Sequence, residues 1–263
     1  GFDVITVRPA PQIYKKLVRW GFTEFGNWCK STEMALYASV PRLAVAYNIP
    51  LYFLGENPAL SWGSAGGSLD GDANRIKYNH TLQGGDIKPL LADDVTESDV
   101  FWYLYPSDAD MARAELRIVY LGYYIRDFND FANGRIAIDY GLQVREGLDA
   151  DPEQIGQITN FDALDDDFVH MNQMLKWLKF GFGKVTEQAS GAIRNSVMTR
   201  GEAIELVKLY DGKCSDRFIS QFCRYVDITE EQFWNVAESY RNLDIWEKTG
   251  DAETEWRLKY PVE

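Results

Sequence analysis

The chain has 263 residues, enough for one large domain or for a domain with a helical extension. With 46% hydrophobic and 14% aromatic residues it can build a full core, which excludes a disordered chain. Forty acidic against 27 basic side chains leave a net charge of −13, which argues against non-specific nucleic-acid binding but not against a local basic pocket for an anionic small molecule.

Cys29, Cys214 and Cys223 are widely spaced, with no C-x-x-C pair and no zinc partner set, as expected in a reducing cytoplasm. No apolar run approaches the ~20 residues of a membrane span, and no signal peptide is visible. The chain begins without Met on Phe2-Asp3-Val4-Ile5-Thr6-Val7, which reads as a strand, so it is expected to be a fragment or to have lost an N-terminal region. Pro11 then starts a helix with Ile13, Tyr14, Leu17, Val18 and Trp20 on its apolar face. Residues 21–29 read as a loop. Ser31 or Thr32 caps a second helix, which Pro41 kinks or restarts.

Ile49-Pro50-Leu51-Tyr52-Phe53-Leu54 is too short for a helix and reads as a strand buried on both faces, as in a parallel sheet. The first residues thus spell strand, helix, helix, strand, the grammar of an α/β sheet. We take residues 1–95 as this domain and 96–263 as a mainly helical region. In the latter, a short helix at 107–113, a strand at 117–125 and a helix at 128–140 precede an acid-rich stretch, 149–167, with seven acids and no base. That stretch reads as a solvated loop, or as a metal or partner site. Helices are expected over 168–180, 185–195, 200–210, 216–225 and 230–241. Thr199-Arg200-Gly201-Glu202 and Thr229-Glu230-Glu231-Gln232 have capping-box spacing, and Asp211-Gly212 is a helix stop.

Candidate chemistry begins at Gly55-Glu56-Asn57-Pro58, the carboxyl end of the buried strand, where open α/β sheets bind ligands. Glu56 and Asn57 there can hold a hydroxyl, a magnesium ion or a substrate amide, or else start a turn and pair with a nearby base. Ser64-Ala65-Gly66-Gly67-Ser68 has the composition of a phosphate loop, but nine residues separate it from Leu54, so it reads as a mobile loop over a substrate. Arg75, Lys77 and His80 either meet an anion or lie on a solvated surface. Neither His80 nor His170 belongs to a triad or metal pattern. A second dense region, Gly181-Phe182-Gly183-Lys184 followed by Gln188 and Arg194, offers free backbone N–H groups at a helix start beside a lysine. It is either an anion site for the substrate or an ordinary helical turn with solvated bases. Arg194, ten residues beyond Lys184, belongs to a second contact or to structure.

Two blocks of this sequence, Ile49 to Ala59 and Gly181 to Ser190 with Ile193-Arg194-Asn195 and Met198-Thr199-Arg200, resemble the N-acetyl sugar amidotransferase family of bacterial surface-polysaccharide biosynthesis. The likeness runs from about Gly1 to Trp246. It implies a Rossmann-like parallel sheet of the PP-loop ATP pyrophosphatase type. It also implies adenylation of a sugar acetamido oxygen by ATP with Mg2+, then displacement of AMP by ammonia from a glutaminase subunit to give an acetamidino sugar. The substrate would be a nucleotide-linked N-acetyl sugar and the site cytoplasmic, with a homo-oligomer left open. Glu56 and Asn57 would be catalytic, and Gly55, Arg75, Lys77, Gly181, Gly183, Lys184, Gln188 and Arg194 would bind substrate. The family's S-G-G-x-D-S loop and N-terminal cysteine pairs are absent from this sequence, and the resemblance places such a loop upstream. A genuine absence would instead favour an inactive sugar-binding or scaffold subunit. A tRNA-modifying relative is disfavoured by the acidity and by the lack of cysteine pairs.

Overall fold

The computed structural model describes residues 2–55, 57, 69–78, 82–125, 128–249 and 255–263. They are mainly helical, with two small two-stranded sheets, and form two compact units, Gly1–Phe128 and Asn129–Glu263.

In the first unit, α1 (Pro11–Phe25) buries Ile13, Leu17, Val18 and Phe22 on one face, and Pro11 supplies its first turn. The helix runs on into the expected loop as far as Phe25, and Gly21 lets the chain that follows pass close by. A Cβ there would lie 2.8 Å from the Asn27 carbonyl oxygen. α2 (Cys29–Ala46) runs as one helix with Pro41 inside it, buried, so the helix is not restarted there.

β1 (Leu51–Leu54) pairs in parallel with β2 (Arg117–Tyr120), with Leu51 opposite Arg117 and Leu54 opposite Tyr120. This pairing draws the chain as far as Phe128 into the first unit. The other edge of β2 is closed by residues 71–73: the Ala73 N–H donates to Ile118 O at 2.9 Å and the Tyr120 N–H to Gly71 O at 2.9 Å. β2 is therefore enclosed, and Ile118 and Tyr120 are fully buried.

β1 departs from the sequence expectation. Tyr52 and Leu54 pack on the core of Leu17, Met34, Ala38, Leu82, Val100 and Tyr103, but Leu51 and Phe53 on the other face are 43% and 53% exposed. Among the described residues no helix covers that face and β1 pairs on one edge alone. Residues 2–7 are likewise extended but join no ladder, leaving Phe2 and Val4 almost fully exposed. A run of strand formers becomes a strand only where a neighbouring edge accepts it. The second expected strand also ends early, since Leu121–Tyr123 closes into a 3-10 turn after Tyr120.

The second unit begins with α4 (Asp130–Asp139), which follows the short α3 (Asp108–Arg113) of the first unit. Gly134 lowers helix propensity, yet the packing needs it: a Cβ would sit 2.6 Å from the Phe161 ring. α5 (Pro152–Ile155) lies within the acid-rich stretch. The remaining helices fall close to the expected bounds: α6 (Phe168–Phe180), α7 (Lys184–Arg194), α8 (Arg200–Tyr210), α9 (Asp216–Val226) and α10 (Glu230–Ser239). Both capping boxes form, at Thr199 with Glu202 and at Thr229 with Gln232. The antiparallel pair β3 (Trp246–Thr249) and β4 (Glu255–Leu258) was not foreseen. Trp246 anchors it, buried 4.4 Å from the Trp177 ring and donating from Nε1 to Leu178 O at 2.8 Å.

The acid-rich stretch is not a solvated loop. Asp149 pairs with Arg217, Glu153 with Lys213, Asp162 with Lys184 and Asp167 with Arg145, so four of its acids meet bases on helices or on the segments between them. Among the described residues no helix is long and apolar enough to cross a membrane.

Two consequences are measurable. Gly156 closes α5 at φ +60°, and a Cβ there would lie 2.1 Å from the Lys213 carbonyl oxygen. Gly156→Ala is expected to cost about 1–3 kcal/mol in denaturant unfolding, and wild-type stability in that variant would refute the close approach. His170 is 1% exposed, 4.7 Å from the Phe218 ring, with no hydrogen-bond partner at Nε2. Burial, helped by Arg145 and Arg217 and opposed by Asp167 and the Ile155 backbone, pushes its pKa down to about 4. The fold thus holds a neutral imidazole, whereas the unfolded chain takes up a proton below about pH 6.5. Stability is fully present above that value and falls as pH drops towards 4, by at most about 1.4 kcal/mol per unit. The denaturant midpoint between pH 6.5 and 4.5 should slope less in His170→Gln, and equal slopes would rule the histidine out.

Candidate functional site

The carboxyl ends of β1 and β2 lie side by side because the strands are parallel and in register. Three residues beyond the last pair stand Asn57 on one chain segment and Tyr123 on the other. Asn57 is 3% exposed, so its amide does not face bulk water. Gly55 is exposed just before it, and among the described residues nothing would meet a Cβ there. Glu56, the Ser64 to Ser68 loop and His80 lie outside the described residues.

Residues 70–74 run along the edge of β2 opposite β1. The Asp70 carboxylate accepts from Asp72 N at 3.1 Å and the Asp72 carboxylate from Asn74 N at 2.8 Å, while Asn74 Oδ1 takes the Ile118 N–H at 3.0 Å. This ties the segment to β2 and starts the 3-10 turn Asn74–Tyr78. The two bases of that turn diverge. Arg75 is exposed, but Lys77 turns inward and donates to Asp108 at 2.7 Å, its side chain only 12% exposed. Tyr78 bonds the same carboxylate, and together the two donors hold Asp108 below the usual carboxylate range. The structure therefore does not place Arg75 and Lys77 as a pair around one anion.

The second candidate region is gathered as expected around the start of α7, but its donors are already engaged. Asp211, which the sequence marks only as a helix stop, accepts from Gly183 N at 2.8 Å, Val185 N at 3.0 Å, Thr186 N at 3.3 Å and Thr186 Oγ1 at 2.7 Å. Gly183 is required because a Cβ there would come within 2.8 Å of that carboxylate. Gly181, at φ +76°, ends α6 against Ile245. The chain's own carboxylate thus takes the position an anionic ligand would occupy at this helix start.

Lys184 lies 2.7 Å from Asp162. Burial disfavours both charges, but each holds the other ionised: the ammonium is raised above, and the carboxylate lowered below, its ordinary value. Gln188, 8% exposed, completes the cluster, accepting from Ile158 N and donating to Thr159 Oγ1 and Asp162. Lys176 is paired with Glu187. Arg194 stands at the far end of α7, about 15 Å away, and donates to Ser190 of its own helix at 2.8 Å.

Elsewhere, burial pushes the Cys214 thiol up to about 12 and Cys223 to about 11, so neither is a nucleophile at neutral pH. Among the described residues no group of three or more His, Cys, Asp or Glu is arranged to hold a metal ion. A cavity of about 250 Å³ lined by Arg42, Val45, Phe101, Trp102 and Asp110 abuts the last turn of α2, and no residue of β1 lines it. Sequence reasoning missed Asp211 and Asp162 as partners, and it took Tyr123 and Tyr124 as strand residues. The signal for the last was Gly122, which interrupts the run.

Residues 155–260 match the family model of the C-terminal domain of LPS biosynthesis protein WbpG-like proteins. The match covers the helical unit from the end of α5 through β4 and points to lipopolysaccharide biosynthesis. No curated protein matches the chain.

These contacts predict how Lys184 behaves. Lys184→Ala leaves the Asp162 carboxylate without its cation and is expected to cost about 1–3 kcal/mol, below the range for fully buried pairs because both side chains keep some access to water. Denaturant unfolding would measure it. Unchanged stability would free Lys184 for a ligand and undo the structural assignment.

Proposed function

We propose that the chain belongs to an ATP-dependent amidotransferase of surface-polysaccharide biosynthesis. It would convert the acetamido group of a nucleotide-linked N-acetyl sugar into an acetamidino group with ammonia from a glutaminase. The observation that carries this reading is the match of residues 155–260 to a lipopolysaccharide-biosynthesis domain, joined in one chain to a parallel strand pair with an amide at its carboxyl end. The face and edge of β1 that stay open among the described residues support it further, since parallel sheets are normally flanked by strands and covered on both faces. Magnesium enters only as the companion of ATP, and the described residues supply no cluster for it.

An amide oxygen is a poor leaving group, and adenylation makes it a good one. The part of this chain's own residues is to bind and orient the acetamido group at the carboxyl edge, with Asn57 as hydrogen-bonding partner and Glu56 beside it. Gly55 lets the substrate approach the backbone, and Arg75 is the exposed base of the 3-10 turn Asn74–Tyr78. The internal pairing of Lys184 and of the α7 start favours the helical unit as a structural or partner-docking element. In the scaffold alternative the whole chain would serve only that role.

The test is turnover by the full protein with ATP, magnesium, ammonium and a nucleotide-linked N-acetyl sugar. AMP, pyrophosphate and amidino sugar are expected in equal amounts. Asn57→Ala should cut the rate by roughly 10²-fold, as for loss of one well-placed donor, measured at a temperature where the variant is still folded. Sugar binding without any pyrophosphate release would favour the scaffold, and neither binding nor turnover would reject both.

A further inference from the structure

A cavity of about 250 Å³ opens in the first unit where the last turn of α2 meets the 3-10 turn Phe101–Tyr103 and the start of α3. No residue of the proposed sugar site lines it. Pockets for drug-sized ligands run to roughly 300–1,000 Å³, so this one takes a molecule smaller than a nucleotide. Leu43, Val45, Ala46 and Pro106 give it an aliphatic wall. The face of Phe101 is already covered by the Arg42 guanidinium, 3.8 Å from the ring centroid, and Trp102 stands at 80° to Phe101. These two rings therefore form no slot for a flat base.

Two charged side chains interrupt that wall. Arg42 is held on the Phe101 ring and donates from Nη1 to Leu104 O at 2.9 Å, while its Nε–H is buried without a partner. Asp110 accepts from Ser107 Oγ at 2.6 Å and pairs with Arg113 at 3.1 Å, which leaves lone pairs of the carboxylate unused. The Ser107 hydroxyl holds this carboxyl below the usual carboxylate range, so it is charged at neutral pH. Burial works against the Arg42 charge and Asp110 works for it, yet among the described residues no ion pair joins the two. A cation and an anion thus stand on one small apolar cavity, near enough to sense each other but not in contact.

We propose that this cavity binds a free apolar α-amino acid, its carboxylate on Arg42, its ammonium on Asp110 and its side chain among Leu43, Val45 and Trp102. The two charges of an α-amino acid are separated by a single carbon, which matches an ion pair held slightly open. An apolar carboxylate without the amine would meet Arg42 but also face the like charge of Asp110, and an apolar amine would face Arg42 in the same way. A sugar would find too few polar groups on this wall to replace the water lost from its hydroxyls.

Calorimetric titration of the chain with L-leucine tests the assignment, with isocaproate and L-leucinamide as controls that each lack one of its charges. L-leucine should bind with a Kd below about 1 mM, and each control at least about ten-fold more weakly. Asp110→Asn should weaken L-leucine about ten-fold without weakening isocaproate, a change of preference that mere loosening of the fold would not produce. Ala46→Phe, at an exposed position that ends α2, fills the cavity while sparing both charges and should abolish binding. No binding by the wild-type chain up to about 10 mM L-leucine would overturn the site. So would equal affinity for L-leucine and its two controls, or unchanged affinity in Ala46→Phe.

Discussion

The helical unit depends on one carboxylate. Asp211 sits just past the end of α8 and reaches across to the first turn of α7, collecting three backbone N–H groups and a threonine hydroxyl. A helix start leaves its first N–H groups without partners, and burying them unpaired would be expensive. Supplying an anion from 25 or more residues away both satisfies them and fixes the antiparallel packing of α7 on α8. Next to it, Gly212 presses on Trp177, with only 2.3 Å between its would-be Cβ and the indole. Trp177 in turn meets Trp246, so the same corner sets the position of the β3–β4 pair.

The parts of the fold that could be read in advance are those governed by local rules. α6 and α8 were bounded to the residue by amphipathic spacing and caps, and both capping boxes formed where Ser/Thr-x-x-Glu/Gln spacing put them. What could not be read depends on distant partners. Residues 2–7 have strand composition but no edge to join, and β1 is half exposed although every residue in it is apolar. The acids of residues 149–167 looked solvated because their bases, from Arg145 to Arg217, are scattered over some seventy positions.

The same contrast holds at the site. Glycines beside a lysine at a helix start have the local look of an anion-binding turn, and nothing nearby in sequence says that Asp211 and Asp162 will satisfy them. Charge complementarity in this unit is spent on holding helices together. At the sheet edge the reverse is true: the position of Asn57 was legible from the strand-then-breaker pattern, because that pattern follows from chain direction alone. The match to the WbpG-like domain covers only the helical unit, while the family resemblance of the sequence also rests on the strand that leads to Asn57.

The bare side of β1 has a consequence for handling the protein. Among the described residues β1 has one unpaired edge and two large apolar side chains on its open face, a template for another strand that no lysine, proline or bulge within Leu51–Leu54 blunts. Until that edge is covered, two molecules can recruit each other through it. Self-association would then compete with correct assembly in a manner set by concentration, so the yield of usable protein depends on how dilute it is kept and how soon the strand finds its neighbour.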